Sequence, residues 1–382
     1  MKYIDTEKVI IKSWCNNPEE GAIQQAKNLA NLPFIFKQVC LMPDTHEGYG
    51  MPIGGVIATD NVIIPNAVGV DIGCGMLAVK TSLQGIDMDT LKKVMGQVRQ
   101  NIPVGFDHHK GKQDTAFIPE AIDCKVNLEE YEKAFYQVGT LGGGNHFIEI
   151  QKSDDGFIWY MIHSGSRNVG LKVAGYYNKI AQQLNQRWFS KVEKPLELAF
   201  FPLETNEAAE YRREMEWCLA FSFLNRQLMS ERIKEAFTNI SPDISFEYEV
   251  NIHHNYARME HHFGRDVMVH RKGATSARIG EIGIIPGSQG TPSYIVEGLG
   301  NDDSFQSSSH GAGRAMGRKQ ATRELNMENE VKKLGDILHS IRNISDLDEA
   351  PGAYKDIDVV MEEQKDLVKI KTKLVPLAVI KG

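Results

Sequence analysis

The sequence predicts an α+β fold in which strands and helices form one interwoven domain spanning residues 1–382. Three observations favour this class. Strand-like apolar segments occur singly, and the helical segments between them vary in length, unlike the regular alternation of a parallel βα fold. No low-complexity linker or internal repeat divides the chain. Its 34 glycines indicate many shaped loops between the elements.

Composition and charge restrict the functional classes. The chain has 50 acidic and 43 basic residues, and its net charge of −7 argues against non-specific coating of nucleic acid but allows a local basic groove. No apolar run approaches the length of a membrane span, and the charged start of the sequence is unlike a signal peptide. The five cysteines do not form a disulfide framework. We therefore expect a cytoplasmic protein with free thiols and no membrane association.

Hydrophobic periodicity gives the order of the elements. Helices are predicted over about residues 18–32, 88–100, 128–138, 168–189 and 204–239. Strands are predicted over residues 53–58, 62–64, 157–162, 246–252 and 267–269. Residues 41–50 contain Asp44, His46 and Glu47 in a turn-rich setting, and we interpret them as a polar loop.

The stretch Asp71-Ile-Gly-Cys-Gly-Met76 is central to the functional interpretation. It places the carboxylate of Asp71 and the thiol of Cys74 three residues apart, and both groups are metal ligands. Gly73 and Gly75 allow the backbone to turn tightly enough for both side chains to reach one small volume. Apolar runs on both sides predict a loop between two buried strands.

Three histidines at the edges of apolar segments supply further ligands. With Asp71 and Cys74, residues His146, His163 and His254 form a plausible set for zinc, iron or manganese-type ions. One thiolate that bridges two ions would let five side chains hold a metal pair suited to phosphoryl chemistry. For any one histidine, a hydrogen-bonded residue at a strand end is the simpler interpretation. The five together favour a metal site.

His310 has a different environment, made of glycines, serines and Arg314. Small neighbours give a phosphate access to the imidazole, and a guanidinium can neutralise phosphoryl charge. A covalent phosphoramidate on His310 is therefore one interpretation, and a loop with an incidental histidine is the other. Arg167, Arg271 and Arg314 adjoin the histidine motifs and are candidates for RNA or phosphate binding.

Six motifs carry a resemblance to a known family. In chain order they are Asp-Ile-Gly-Cys-Gly-Met, Gly-Gly-Asn-His-Phe-Ile-Glu, His-Ser-Gly-Ser-Arg, His-His-Asn, His-Arg-Lys-Gly-Ala and His-Gly-Ala-Gly-Arg. From about Met42 to its end, the chain resembles the RtcB family of RNA-splicing ligases. The resemblance implies an RtcB-like fold with a central metal-binding cleft. It also implies a GTP- and Mn²⁺-dependent ligase that joins RNA 3′-phosphate or 2′,3′-cyclic phosphate ends to 5′-hydroxyl ends, in RNA repair or tRNA splicing.

The resemblance also implies roles for individual residues. Cys74 would bridge two Mn²⁺ ions, one completed by Asp71 and His146 and the other by His163 and His254. His310 would carry the GMP-histidine intermediate. The residues implied in GTP binding are Asn145, Glu149, Ser288, Ser293, His310, Gly311, Gly313, Tyr354 and Lys381. A carboxylate facing guanine N1–H and N2–H₂ would explain a preference for GTP over ATP.

Two departures from the family pattern concern the substrate. The chain is somewhat short, and it reads Gly-Ser-Gln-Gly from Gly287 where many members read Gly-Ser-Met-Gly. The sequence leaves open the physiological RNA and any need for an archease-type activator. Two other functions remain open: a dinuclear metal-dependent phosphatase or cyclic phosphodiesterase acting on RNA ends, and an RNA-end-binding module with a structural metal.

Overall fold

The computed structural model describes residues 1–382 and contains two main β-sheets with helices packed around them. The helices are α1 (Glu20–Ala30), α2 (Pro65–Val68), α3 (Met88–Asn101), α4 (Lys125–Gln137), α5 (Arg167–Arg187), α6 (Asn206–Ile240), α7 (Arg318–Glu324), α8 (Met327–Leu334) and α9 (Ile357–Glu363). The strands up to Pro202 are β1 (Lys2–Ile4), β2 (Ile10–Ser13), β3 (Ile35–His46), β4 (Ile53–Thr59), β5 (Val62–Ile63), β6 (Gly75–Thr81), β7 (Phe147–Ser153), β8 (Ile158–Ser164) and β9 (Phe201–Pro202). The later strands are β10 (Phe246–His253), β11 (Asn255–His262), β12 (Arg265–Lys272), β13 (Ala274–Ser276), β14 (Ile282–Ile285), β15 (Ser293–Gly298), β16 (Ser307–Ser309) and β17 (Val368–Lys381).

The two main sheets are largely antiparallel. The first has the strand order β1-β2-β3-β4-β12-β11, and the second has the order β10-β6-β8-β7-β17-β15-β14. Among their strand pairs only β2 and β3 run parallel. Antiparallel sheets with helices of unequal length confirm the predicted α+β class.

Neither sheet is built from one continuous segment. The first sheet combines β1 to β4 with β11 and β12, and the second combines β6 to β8 with β10, β14, β15 and β17. Each sheet therefore joins segments that are distant in the chain.

All five predicted helices are present, as α1, α3, α4, α5 and α6, with ends within a few residues of the predicted ones. The side chain of Asp87 accepts hydrogen bonds from the backbone N–H groups of Asp89 and Thr90 and so caps α3. Thr205 caps α6 in the same way by accepting from the backbone N–H of Ala208. None of the helices has both the length and the apolar composition needed to span a membrane.

Two local predictions were wrong. Residues 41–46, interpreted as part of a polar loop, belong to strand β3, and Asp44 and Thr45 are fully buried there. Short-range composition suggested a loop because polar residues follow Met42, but long-range pairing with β4 keeps the chain extended. The loop before Cys74 also does not follow a strand directly, since the short helix α2 separates it from β5.

Strand pairing in the second sheet brings together four segments that carry candidate ligands. β6 lies between β10 and β8, and β7 pairs with the other edge of β8. In this register Gly75 is opposite His253, while Met76 and Phe147 are both opposite His163. The segments that carry Cys74, His146, His163 and His254 therefore meet at one end of these neighbouring strands.

Candidate active site

A tight turn before β6 positions Asp71 and Cys74. The backbone N–H of Cys74 donates to the carbonyl oxygen of Asp71 at 3.1 Å, and Gly73 has a φ of +77°. A Cβ atom on Gly73 would lie 2.6 Å from the hydroxyl of Ser222 and 3.0 Å from the carbonyl oxygen of Cys218 on α6. Only glycine therefore lets this turn pack against the helix.

The five predicted ligands converge on the sulfur of Cys74 as two groups. Cys74 Sγ lies 3.2 Å from His163 Nε2 and 3.4 Å from His146 Nε2. His163 Nε2 is 3.4 Å from His254 Nε2, and His146 Nε2 is 3.1 Å from Asp71 Oδ2. The ligand atoms of Cys74, His163 and His254 lie within 4.8 Å of one another, as do those of Asp71, Cys74 and His146. Cys74 is therefore common to both groups, in the arrangement the family resemblance implies.

Hydrogen bonding and burial suit these side chains to metal binding. His163 Nδ1 lies 3.1 Å from the carbonyl oxygen of Asn145, so Nδ1 carries the proton and Nε2 keeps its lone pair toward Cys74. Burial, together with neighbouring histidines, holds the pKa of His163 and of His254 well below the usual range. Both imidazoles are therefore neutral at pH 7, which is the form that binds metal.

The acidic members of the set also fit a divalent cation. Burial tends to raise the pKa of Asp71, but its contacts with His146 and Cys74 and the charge of Arg167 outweigh this effect, so the pKa of Asp71 lies below its usual value. Burial and the nearby Asp71 carboxylate raise the pKa of Cys74 well above the usual range. A bound cation offsets both effects on the thiol, because it stabilises the thiolate directly.

His310 lies beside this cluster and is oriented by Asp44. His310 Nδ1 is 2.6 Å from Asp44 Oδ2, and the same oxygen accepts from the backbone N–H groups of His310 at 3.0 Å and Gly311 at 3.3 Å. A buried carboxylate accepts, so Nδ1 donates and Nε2 keeps a lone pair. The ring centroids of His310 and His254 are 4.7 Å apart. Sequence reasoning missed Asp44, although its position directly after an apolar strand segment was a usable signal.

A cleft of about 380 Å³ opens above the histidines. Its lining includes the catalytic and metal candidates and most of the residues implied in nucleotide binding: Asp71, Cys74, Asn145, Glu149, His163, His254, Ser288, His310, Gly311, Gly313, Arg314, Tyr354 and Lys381. His146 is outside the lining, and its Nε2 lies 3.1 Å from Oδ2 of the lining residue Asp71. The sequence therefore identified residues that the fold collects into one cleft.

Glu149 and Glu349 are two buried carboxyl groups that line the cleft. Glu149 is 3% exposed, and its Oε1 has no hydrogen-bond partner. Burial raises the pKa of Glu149 well above its usual range, against the opposing charge of Lys381. Such a carboxyl group would gain from ligand N–H donors.

Glu349 organises the cationic side chains of the cleft, and sequence reasoning missed it. Its Oε1 accepts from Arg314 at 3.0 Å and from Arg318 at 3.2 Å, while its Oε2 accepts from the Tyr354 hydroxyl and from Lys381 Nζ at 3.1 Å. No motif marks it, because Glu349 is the last residue of a short 3-10 helix, Ile344–Glu349.

Four predicted residues lie outside the cleft lining: His146, Ser293, Arg167 and Arg271. The Ser293 hydroxyl is 1% exposed and accepts from the backbone N–H of Gly287 at 3.2 Å, so it supports the loop that carries Ser288 instead of facing the cleft. Arg167 lies beside the Asp71 carboxylate and donates to the carbonyl oxygen of Gly105 at 2.9 Å.

The phosphate-binding prediction for Arg271 was wrong. Its side chain is fully buried and forms a paired salt bridge with Glu260, which is also buried. Its Nε donates to the Ser307 hydroxyl at 2.9 Å. Arg271 therefore joins β12 to its neighbours in the core and does not reach the surface. The adjacent Lys272 lines the cleft, but its Nζ donates to three backbone carbonyl groups, those of Tyr49, Met51 and Asn66.

Comparison with known proteins gives one consistent result. The family model described as tRNA-splicing ligase RtcB matches residues 25–123 and 112–382. The RNA-splicing ligase RtcB of Escherichia coli K12 is 38% identical over 409 residues, covering 99% of each chain. The tRNA-splicing ligase RtcB of Thermococcus kodakarensis is 31% identical and covers 95% of this chain and 92% of its own. The RNA-splicing ligase RtcB of Mycobacterium tuberculosis is 30% identical, over 94% of this chain and all of its own. The chain that gathers these candidate ligands around Cys74 therefore belongs to the RtcB family.

Proposed function

We propose that this protein is a GTP- and Mn²⁺-dependent RNA ligase that joins an RNA end with a 3′-phosphate or 2′,3′-cyclic phosphate to a 5′-hydroxyl end. Family membership supports the ligase class. The observation that carries the chemistry is the placement of His310, whose Nδ1 is engaged by Asp44 while its ring adjoins the ligand cluster inside the cleft. A metal-dependent hydrolase would need the five candidate ligands but not the pairing of His310 with Asp44.

Two Mn²⁺ ions would be held by the two groups that share Cys74, one by Asp71, Cys74 and His146 and the other by Cys74, His163 and His254. The mixed donor set of thiolate, imidazole and carboxylate is compatible with this ion. When bound, such cations neutralise charge on phosphate oxygens and orient them. Since the cluster adjoins His310, a triphosphate in the cleft would have its charged oxygens beside the nucleophile.

His310 would act as a nucleophile. Its Nε2 attacks the α-phosphorus of GTP, a P–N bond forms, and the bond to the β-phosphate oxygen breaks, so that pyrophosphate leaves. Asp44 accepts from Nδ1–H, which fixes the ring and stabilises the positive charge that develops on it. The product is a GMP-histidine intermediate.

Two further transfers complete the proposed reaction. An oxygen of the RNA 3′-phosphate attacks the phosphorus of the GMP group, which restores the free histidine and gives an activated RNA end. The 5′-hydroxyl oxygen then attacks the RNA phosphorus, loses its proton to solvent, and GMP leaves. A 2′,3′-cyclic phosphate must first be opened by water to a 3′-phosphate.

Guanine recognition is proposed for the side of the cleft that contains Glu149. The unpartnered Oε1 of this residue would accept from guanine N1–H or N2–H₂, donors that adenine does not present in the same arrangement. Lys381, Tyr354 and Ser288 line the same cleft, and Asn145 lies next to the ligand His146, on the phosphate side. Arg314 and Arg167 are the proposed RNA-phosphate contacts.

Labelling with α-³²P-GTP and Mn²⁺ tests the proposal. Wild-type protein is expected to acquire an acid-labile label, and His310→Ala is expected to acquire none and to lose ligation. His261 is a matched control because its Nδ1 is also paired with an aspartate, Asp266 at 2.8 Å, but it is 68% exposed on a hairpin. His261→Ala should label normally. If His310→Ala instead removes phosphate from RNA ends at the wild-type rate without label, the protein is a phosphatase or cyclic phosphodiesterase.

A further inference from the structure

Asn225 and Arg226, adjacent residues in the middle of α6, are both fully buried although neither belongs to the cleft lining. The Arg226 guanidinium makes no ion pair with a carboxylate. A buried charge without such a partner is costly unless other groups compensate it. The groups that offset the buried charge of Arg226 therefore indicate its role.

Three of the four contacts of Arg226 are with residues directly next to metal-ligand candidates. Its Nη1 donates to the carbonyl oxygens of Gly73 at 3.2 Å and Ser164 at 2.8 Å, residues directly next to Cys74 and His163. Its Nη2 lies 3.2 Å from His253 Nδ1, next to His254. Its Nε donates to Asn251 Oδ1 at 2.7 Å. One planar guanidinium thus reaches three of the ligand-bearing segments.

Asn225 extends the same set of contacts. Its Oδ1 accepts from the backbone N–H groups of Gly139 at 2.7 Å and Thr140 at 3.2 Å, at the start of the glycine-rich segment that leads to His146. Its Nδ2 donates to the hydroxyl of Ser164 and to the carbonyl oxygen of Gly165, both at 3.1 Å. Together the side chains of Asn225 and Arg226 connect α6 to the segments of four candidate ligands: Cys74, His146, His163 and His254.

We propose that Asn225 and Arg226 are positioning residues for the metal centre: they hold the turns beside Cys74, His146, His163 and His254 so that the ligands are assembled before the cations bind. This inference rests on the metal site in the proposed function. Removing a group that orients metal ligands through hydrogen bonds typically lowers metal affinity by about 10- to 100-fold.

The test compares Mn²⁺ binding with folding. Electron paramagnetic resonance of free Mn²⁺ during titration gives the affinity, and thermal unfolding gives the stability. Arg226→Met is expected to weaken Mn²⁺ binding by about 10- to 100-fold, and Arg226→Lys less, because the ammonium keeps the charge but cannot reach all four acceptors. Guanylylation of His310 in Arg226→Met should recover at higher Mn²⁺ concentration.

Arg271→Met is the matched control, since Arg271 is equally buried but paired with Glu260. It should lose stability while its folded fraction keeps wild-type Mn²⁺ affinity. If Arg226→Met does not fold, Asn251→Ala removes the Nε contact and one hydrogen bond to the carbonyl oxygen of Phe223, and it should still weaken Mn²⁺ binding. A folded Arg226 or Asn251 variant with unchanged Mn²⁺ affinity would overturn the inference. Failure of the wild-type protein to bind Mn²⁺ would instead refute the metal site itself.

Discussion

Asp44 and His310 are 266 residues apart in the chain, yet Oδ2 of the aspartate lies 2.6 Å from Nδ1 of the histidine. The contact joins the end of β3 to the loop after β16, and two glycines pack closely against it. A Cβ on Gly313 would lie 2.2 Å from the carbonyl oxygen of Asp44, and one on Gly273 would lie 3.0 Å from Cε1 of the His310 ring. Neither glycine can be replaced without displacing the pair.

Replacing Asp44 by asparagine should therefore slow guanylylation of His310 on the order of 10²- to 10⁴-fold, by analogy with carboxylates that orient a reactive histidine. The amide keeps the size of the side chain but neither fixes the tautomer nor stabilises positive charge. Single-turnover labelling with α-³²P-GTP measures the rate. The exposed pair His261–Asp266 provides the control, because Asp266→Asn should leave the rate unchanged. A normal rate in Asp44→Asn would show that the carboxylate has no part in the chemistry.

Cys74→Ala should lose most bound Mn²⁺ and all ligation activity, because Cys74 is the only side chain common to both ligand groups. Equilibrium dialysis followed by elemental analysis measures the bound metal. Cys218→Ala serves as a control, since this cysteine is also fully buried but belongs to neither group. Unchanged manganese content in Cys74→Ala would remove Cys74 from the site.

Glu149→Gln should relax the preference for GTP over ATP. The amide has nearly the same shape, but it presents a donor as well as an acceptor to the base, so the contact with guanine N–H groups weakens. We expect the ratio of kcat/KM for GTP to that for ATP to fall at least about tenfold, mainly through KM for GTP. Initial rates of histidine labelling with both nucleotides give the ratio. An unchanged ratio would place guanine recognition elsewhere in the cleft.

The candidate ligands could be singled out from the sequence because each lies near the end of an apolar segment. The partners of those residues could not be predicted, because they depend on pairing between distant segments. β17 lies between β7 and β15, and this places Lys381 opposite Phe147 and close to Glu349. Nothing within a few residues of Lys381 indicates that arrangement.

Arg271 shows that a local pattern can also predict a site where the fold places none. A local cluster of basic residues suggested a phosphate groove, whereas the antiparallel pairing of β11 and β12 brings Glu260 within reach of Arg271. The sequence also gave no reason to single out Asn225 and Arg226, whose contacts reach four separate segments. Charge patterns indicate exposure only when the pairing of neighbouring strands is known.

His270 should contribute to loss of stability in acid. Its Nδ1 lies 3.1 Å from the carbonyl oxygen of Met268 and its Nε2 accepts from the backbone N–H of Ile64 at 3.0 Å, so the buried ring is neutral. Burial lowers its pKa to about 3 from the ordinary value of 6.5. Below pH 6.5 the unfolded chain takes up a proton here that the folded protein does not, so the stabilisation is complete above that pH and declines as the pH falls toward about 3. His270→Gln should therefore make the dependence of the unfolding free energy on pH shallower, by up to about 1.4 kcal/mol per pH unit. Urea titrations between about pH 7 and 4.5 measure this slope, with the exposed His261→Gln as the control. An equal slope in His270→Gln and wild type would mean that His270 is protonated in the folded protein, and its hydrogen bond from Ile64 could then not exist.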